Sequence, residues 1–435
     1  MSSSRDLLGL GAIFVSNILV NKSGIGGGGI MIPILLIILQ LDSVQAVALS
    51  NLAVLAGAAT NFYSNVNKRH PNPQLNRPLV DWNIIMIMEP STMLTAVLGA
   101  YLGHLLPKIV LVFLLTLVLG VVAIRTFFTG MKQYHAEEAL IINEIRKEKG
   151  SYMSFNILSQ TYQQVSNIAL SQEFSWSLPE ISFGSFYASN RQDENRLNKI
   201  LEEESYIPYV DLFALIGLTL TVVLLTLMKA NMSCGGVWYL TDLLFIVIIV
   251  VAFAIYYRYV ILIRWIKKIE AGYVPVEGDV EWTEENSIRY PLLCSFAGLL
   301  AGVFGVGGGL LKGPLMLELG VLPTVASATS NVMILFTSAA ATSSFLILGN
   351  LNGVYNYAII IFALSICGTL LGQLLIQIKR PSFITLLIGS TVLVSAIMLV
   401  SELIDQLDGE TWSQIWKIGT ICPSIDSATR HEFSD

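Results

Sequence analysis

The chain has 435 residues, of which 54% are hydrophobic and only 13% are charged, with a net charge of −6 and a mean hydropathy of +0.66. Soluble domains carry about 25% charged residues, so this composition excludes an ordinary soluble protein and indicates a multi-pass membrane protein in a lipid bilayer. The net charge says little about partners, because membrane orientation depends on where Lys and Arg lie. No nucleic-acid partner is expected.

Five apolar segments make up a first transmembrane repeat at residues 7–130. The first two are shorter than the roughly 20 residues that a spanning helix needs. They form either two short spans or one re-entrant hairpin. The five segments cover about residues 7–20, 25–40, 43–63, 82–103 and 107–130.

The middle of the chain is different. Residues 131–208 are rich in Ser, Gln, Asn and charge, and contain no apolar run of spanning length. They are predicted to form a loosely ordered cytoplasmic loop, and the functional interpretation is regulation or docking of a protein partner. The other regions are two linking transmembrane helices (209–258), a charged cytoplasmic link (259–290), a second transmembrane repeat (291–403) and a polar tail (404–435).

A glycine cluster occurs in both repeats, as Gly-Ile-Gly-Gly-Gly-Gly at 24–29 and as Gly-Val-Gly-Gly-Gly at 305–309. Residues 48–51 match residues 328–331, and a Gly-xxx-Gly pair at 99–103 matches one at 368–372. Glycine destabilises a helix interior by about 1 kcal/mol relative to alanine, so the repeated cluster indicates a broken helix. The alternative is close helix packing through small residues.

The order of the segments predicts an inverted repeat. Two unmatched segments separate the copies, so each copy starts seven segments after its twin, and the two enter the membrane from opposite faces. Short links rich in Lys and Arg place residues 68–77 and 258–289 in the cytoplasm. The predicted fold is an all-α polytopic membrane protein with two inverted five-segment repeats, short glycine-broken hairpins and two linking helices.

No catalytic motif is present, and the four cysteines form no CxxC pair and no metal-ligand spacing. We therefore expect neither an enzyme nor a bound cofactor or metal. Cys234 and Cys422 map to the same non-cytoplasmic side, so their positions allow a disulfide between them. The first apolar run has no small-residue cleavage site, so we interpret it as a retained segment and not a signal peptide.

With these residues in view, the chain resembles the sulfite exporter TauE/SafE family, also called the toluene sulfonate uptake permeases. The features are the two glycine clusters, Pro33 and Pro314, and the paired Gly-xxx-Gly. The Cys234-Gly235 pair followed by Trp238-Tyr239 is similar to eukaryotic members. The resemblance covers about residues 8–130 and 210–403. It implies export or uptake of sulfite, a sulfonate or a related organic anion.

Free N–H groups and the positive dipole end at the start of a broken helix favour an anion. With inverted symmetry, two such helix starts would face each other near the midplane and hold an oxyanion. The predicted substrate-binding residues are Gly26, Gly27, Gly28, Gly29, Gly307, Gly308, Gly309, Asn51, Asn331, Ser330, Lys312 and Lys22.

The charged candidates and the two asparagines each have a second interpretation. Lys312 lies in an apolar stretch, where charge is costly and usually functional, unless it extends to an interface. Lys22 lies at the membrane surface or at a re-entrant tip, and Asn51 and Asn331 line the site or join helices. Glu89 either carries a coupling proton or hydrogen-bonds to a neighbouring helix.

The sequence therefore predicts a secondary transporter for a small sulfur-containing anion. The alternative is a non-transporting structural subunit of a larger membrane complex, with residues 131–208 as its docking surface.

Overall fold

The computed structural model describes residues 4–20, 27–72, 75–165, 186–229, 236–276, 278–305, 308–375 and 381–409. Within these ranges the only β-structure is one isolated bridge between Arg69 and Pro78. Eight of the described helices are long and apolar enough to cross a membrane, by length and composition. The prediction of an all-α polytopic membrane protein is confirmed.

Thirteen helices follow one another in the described residues. They are α1 (Ser4–Val20), α2 (Gly28–Pro33, continued by a π-helical turn at Ile34–Ile38), α3 (Ser43–Asn65), α4 (Trp82–Leu105), α5 (Lys108–Val165), α6 (Phe186–Glu204), α7 (Tyr209–Met228), α8 (Val237–Glu270), α9 (Asn286–Phe304), α10 (Gly309–Glu318), α11 (Pro323–Ile347), α12 (Tyr355–Leu375) and α13 (Pro381–Gly409).

Helix ends follow local chemistry. Asp81 caps α4, since its Oδ1 accepts hydrogen bonds from the backbone N–H groups of Asn83 and Ile84 at 3.0 and 3.2 Å. Pro323 begins α11, where its missing N–H costs nothing. The short helix α10 has 10 residues, which span about 15 Å. That is half of a bilayer core of about 30 Å, so α10 has the length of a half-helix.

Helical structure extends beyond the apolar segments. α5 continues past residue 130 to Val165, and α6 covers Phe186–Glu204, so these parts of the predicted loop at 131–208 are helical. Residues 131–149 contain neither Pro nor Gly and many good helix formers, which lets the helix continue beyond the apolar segment. A protein partner for this region stays a prediction.

Matching helices of the two repeats make matching contacts. α4 packs on α9, and its counterpart α12 packs on α1. Both seams depend on glycine: a Cβ on Gly99 of α4 would lie 2.4 Å from the Leu299 carbonyl oxygen, and one on Gly372 of α12 would lie 2.4 Å from the Ile18 carbonyl oxygen. The paired Gly-xxx-Gly therefore serves close helix packing.

The helices that cross their own counterpart run in opposite directions. In the α3–α11 pair, Asn51 bonds to Thr342 at 2.8 Å, whereas Asn61, further along α3, bonds to Asn331, earlier in α11, at 3.3 Å. In the α5–α13 pair, Glu137 accepts hydrogen bonds from Ser382, whereas a Cβ on Gly389, later in α13, would lie 3.0 Å from the nitrogen of Phe127, earlier in α5. An inverted repeat requires this antiparallel crossing. The orientation of the two repeats in the bilayer stays a prediction.

Candidate functional site

Both glycine clusters form a turn that starts a helix. Gly27 and Gly308 have φ of 66° and 69°, in the left-handed region, and directly precede α2 and α10. Gly28, Gly29 and Gly309 are buried beside them. Three predicted site residues, Gly26, Gly307 and Lys22, lie outside the described residues, as do Cys234 and Cys422.

Helix α3 contacts one residue of each glycine cluster. The Ser50 hydroxyl lies 3.3 Å from the carbonyl oxygen of Gly28 and 3.1 Å from that of Gly305, and the side chain is fully buried. One hydroxyl proton serves the two acceptors. Gly305 has φ of 64°, and a Cβ there would lie 2.2 Å from the Val47 carbonyl oxygen. Gly305 is therefore required for close approach to α3, as the packing alternative proposed.

The two matched asparagines join helices. Asn51 Nδ2 donates to the Ser338 carbonyl oxygen at 3.0 Å and to Thr342 Oγ1 at 2.8 Å. Asn331 Oδ1 accepts from Asn61 Nδ2 at 3.3 Å. Ser330 is buried next to Asn331. These bonds fit the interhelical interpretation, and a role in binding substrate stays a prediction for all three.

A buried ion pair lies next to the second glycine turn. Lys312 Nζ is 2.9 Å from Glu89 Oε2, and neither side chain is exposed. Lys312 therefore does not extend to an interface. A Cβ on Gly308 would lie 3.5 Å from Lys312 Cε, so the lysine side chain runs beside the turn at the start of α10.

Two threonines complete this pair. Thr337 Oγ1 is 2.5 Å from Lys312 Nζ and 2.5 Å from Glu89 Oε1, so it accepts from the ammonium and donates to the carboxylate. Thr92 Oγ1 is 2.9 Å from Glu89 Oε2. The four side chains come from α4, α10 and α11, and all four are fully buried. We call them the Glu89–Lys312 cluster.

Only the second repeat carries this lysine. Aligned on the glycine clusters, Met31 of the first repeat occupies the place of Lys312. Aligned on residues 48–51 and 328–331, Gly57 occupies the place of Thr337, and aligned on the Gly-xxx-Gly pairs at 99–103 and 368–372, Ala358 occupies the place of Glu89. All three are buried. The equivalent place in the other half thus packs without charge, so the fold itself does not require the ion pair.

A cavity of about 420 Å³ lies at the beginnings of α4 and α11. The backbone N–H of Asp81 donates to Thr329 Oγ1 at 3.0 Å and ties these two helices together there. Glu89 lies about two turns after Asp81 on α4, and Thr337 lies about two turns after Thr329 on α11. The lining of the cavity includes His70, Arg77, Trp82, Trp265, Asp279 and Trp282.

An ion pair joins two links at the rim of this cavity. Arg77 Nη2 is 2.7 Å from Asp279 Oδ1, and the Tyr273 hydroxyl donates to Asp279 Oδ2 at 2.6 Å. Burial raises the pKa of Asp279, but the Tyr273 hydrogen bond and the Arg77 charge outweigh burial and hold that pKa below its usual value. Burial and the Arg77 charge lower the pKa of His70, which keeps it neutral.

Comparison with known proteins identifies the relatives of this chain. The model of the family described as sulfite exporter TauE/SafE matches residues 8–159 and 209–399. Sulfite exporter TauE/SafE family protein 3 of Arabidopsis thaliana is 28% identical over 386 residues, which cover 86% of this chain and 74% of the relative. Family protein 5 of the same plant is 24% identical over 403 residues, covering 89% and 81%. No solved structure matches the chain.

Sequence reasoning selected Lys312 and Glu89 separately but did not pair them, and it missed Thr337 and Thr92. Two opposite charges in apolar segments were the available signal, because a buried charge requires a partner.

Proposed function

The chain belongs to the sulfite exporter TauE/SafE family, and we propose that it is a secondary transporter that moves a small sulfur-containing anion across a membrane. Sulfite and sulfonates are the substrates we favour, because the family and the named relatives carry sulfite in their descriptions. The candidate spanning helices and the half-length helix α10 support this proposal, since broken helices carry the substrate sites of many secondary transporters.

The anion binds at the glycine turns in this proposal. The observation that supports this proposal is the position of Lys312. Its fully buried ammonium group lies beside the Gly308 turn, where the first N–H groups of α10 begin. Gly28, which follows the Gly27 turn, contacts Ser50 of α3, and Ser50 also contacts Gly305 of the second glycine cluster. An oxyanion there would accept hydrogen bonds from backbone donors and from the ammonium, which match the chemistry of sulfite and sulfonate oxygens.

The test is sulfite affinity of detergent-purified, monodisperse protein, read as thermal stabilisation by added sulfite. Lys312→Met removes a charge-assisted hydrogen bond worth about 1.5–3 kcal/mol, so affinity should fall about tenfold to a hundredfold. Methionine is the residue at the matching place, Met31, and a protonated Glu89 needs no cationic partner. The control is Lys68→Met, which changes an exposed lysine. Equal sulfite affinity in both variants and the wild type would contradict the site.

A further inference from the structure

The charge of Lys312 is already neutralised in this structure. Its Nζ contacts Glu89 Oε2 at 2.9 Å and Thr337 Oγ1 at 2.5 Å, inside a fully buried cluster. An anion that approached Lys312 now would also approach the Glu89 carboxylate. Two like charges in one buried site strongly disfavour each other, so the anion and the ionised carboxylate exclude each other.

We propose that protonation of Glu89 releases Lys312 to the transported anion, so that each monoanion crosses together with one proton. The inference rests on the proposed function and adds the coupling ion to it. A proton from solution binds a carboxylate oxygen of Glu89, and an oxygen of the anion replaces that carboxylate as the acceptor for Lys312. On the other side the anion leaves, Glu89 returns its proton to solution, and the ion pair forms again.

The cluster stays neutral in both states. Without substrate it holds one carboxylate and one ammonium, and with substrate it holds one ammonium, one monoanion and a neutral carboxyl. A net charge inside the membrane is costly, and both the empty and the loaded state avoid it. The Thr337 hydroxyl contacts both Glu89 and Lys312, and it can donate to the carboxylate or accept from the neutral carboxyl.

Few other ionisable groups face Glu89 among the described residues. On α9, the Cys294 thiol lies 3.5 Å from the sulfur of Met88, the neighbour of Glu89. Asp211 of α7 pairs with Arg264 of α8 at 2.6 Å, and Lys229, the residue after α7, pairs with Asp242 of α8 at 3.4 Å. Lys312 is therefore the charged partner of Glu89, and the protonation state of Glu89 decides whether Lys312 can bind the anion.

Structural need does not explain the pair. A buried ion pair is weak support for stability, since its desolvation penalty offsets much of its attraction. The place that matches Lys312 in the first repeat holds Met31 without any charge. Coupling is a role that requires both a removable negative charge and a fixed positive one, and the Glu89–Lys312 cluster supplies both.

The experiment counts protons taken up when sulfite binds to the purified wild-type protein. Calorimetry is performed in mildly acidic buffers of different ionisation enthalpy, where sulfite is the bisulfite monoanion. We expect about one proton taken up per anion, and an affinity that rises about tenfold for each unit by which the pH falls. Binding without proton uptake would overturn the coupling and leave the proposed function standing. No binding at all would contradict the proposed function itself.

Two variants assign the proton to Glu89. In Glu89→Gln we expect sulfite binding without proton uptake. Ionisation of bisulfite changes the affinity of the variant and of the wild type equally, so the ratio of the two affinities at each pH reports only the proton on Glu89. The double variant Glu89→Gln with Lys312→Met is uncharged at this place, and it should fold and bind sulfite about tenfold to a hundredfold more weakly than Glu89→Gln. The control is Asp242→Asn in the other buried pair, which should keep proton uptake. Equal uptake in Glu89→Gln would overturn the assignment.

Discussion

Gly27 and Gly308 have nearly the same left-handed backbone, with φ of 66° and 69°, although they belong to different repeats. They occupy matching places in the two glycine clusters, and each directly precedes a short helix. The same backbone conformation therefore starts α2 and α10, and both turns require a residue that tolerates positive φ.

The first prediction concerns this turn. Gly308→Ala should destabilise the protein by about 1–2 kcal/mol, because a Cβ in the left-handed region meets the following carbonyl. Gly313→Ala in the same helix is the control. Nothing lies within 4 Å of its added Cβ, and alanine favours a helix by about 1 kcal/mol. Apparent melting temperatures of the two variants check this, and equal losses would contradict the role of φ.

The second prediction concerns the seam between α4 and α9. A Cβ on Gly302 would lie 2.0 Å from the Ala96 carbonyl oxygen and 2.7 Å from the Ala100 nitrogen, so Gly302→Ala must separate the helices. We expect a sharp loss of folded yield, since overpacking typically costs about 1–3 kcal/mol or more. Gly217→Ala, with open space around its Cβ, should keep normal yield in size-exclusion chromatography. Normal yield for both would show that the seam can relax.

The third prediction concerns topology. Single cysteines at Asn72, between α3 and α4, and at Asn352, between α11 and α12, should react with impermeant thiol reagents from opposite sides of the membrane. An inverted repeat places an odd number of crossings between them. Labelling of both from the same side would end the inverted-repeat hypothesis.

The fourth prediction concerns the Arg77–Asp279 ion pair. The pKa of Asp279 lies below its usual value, so its carboxylate stabilises the folded state above the unfolded pKa of about 3.9. That contribution is lost as the pH falls through the folded-state pKa. Asp279→Asn should therefore melt below the wild type at neutral pH, and the difference should shrink below about pH 4. A difference independent of pH would contradict the role of the charge.

Length and repetition of the apolar segments were enough to predict the helices, because spanning a bilayer imposes a minimum apolar length. The matching of residues 48–51 with 328–331 likewise predicted two equivalent helices, and α3 and α11 are those helices. The continuation of α5 beyond the apolar segment, as far as Val165, was not predictable in this way. Apolarity marks the span, whereas the helix continues as long as local propensity allows.

The Glu89–Lys312 cluster depends on tertiary structure. Its two charges lie 223 residues apart and on helices from different repeats, so no local periodicity connects them. Thr337 and Thr92 carry no sequence signal, because a hydroxyl in a transmembrane helix usually bonds to its own backbone. Thr92 lies three residues after Glu89 on α4 and reaches it within that helix, whereas only the packing of α4 against α11 brings Thr337 to the ion pair.

The most direct test of the account is sulfite movement into liposomes that contain the purified protein. We predict uptake that follows an imposed pH gradient in the wild type and is lost in Lys312→Met, while Lys68→Met transports normally. Folded wild-type protein that moves neither sulfite nor a sulfonate under any imposed gradient would contradict the account, and would favour a structural subunit that keeps the transporter fold.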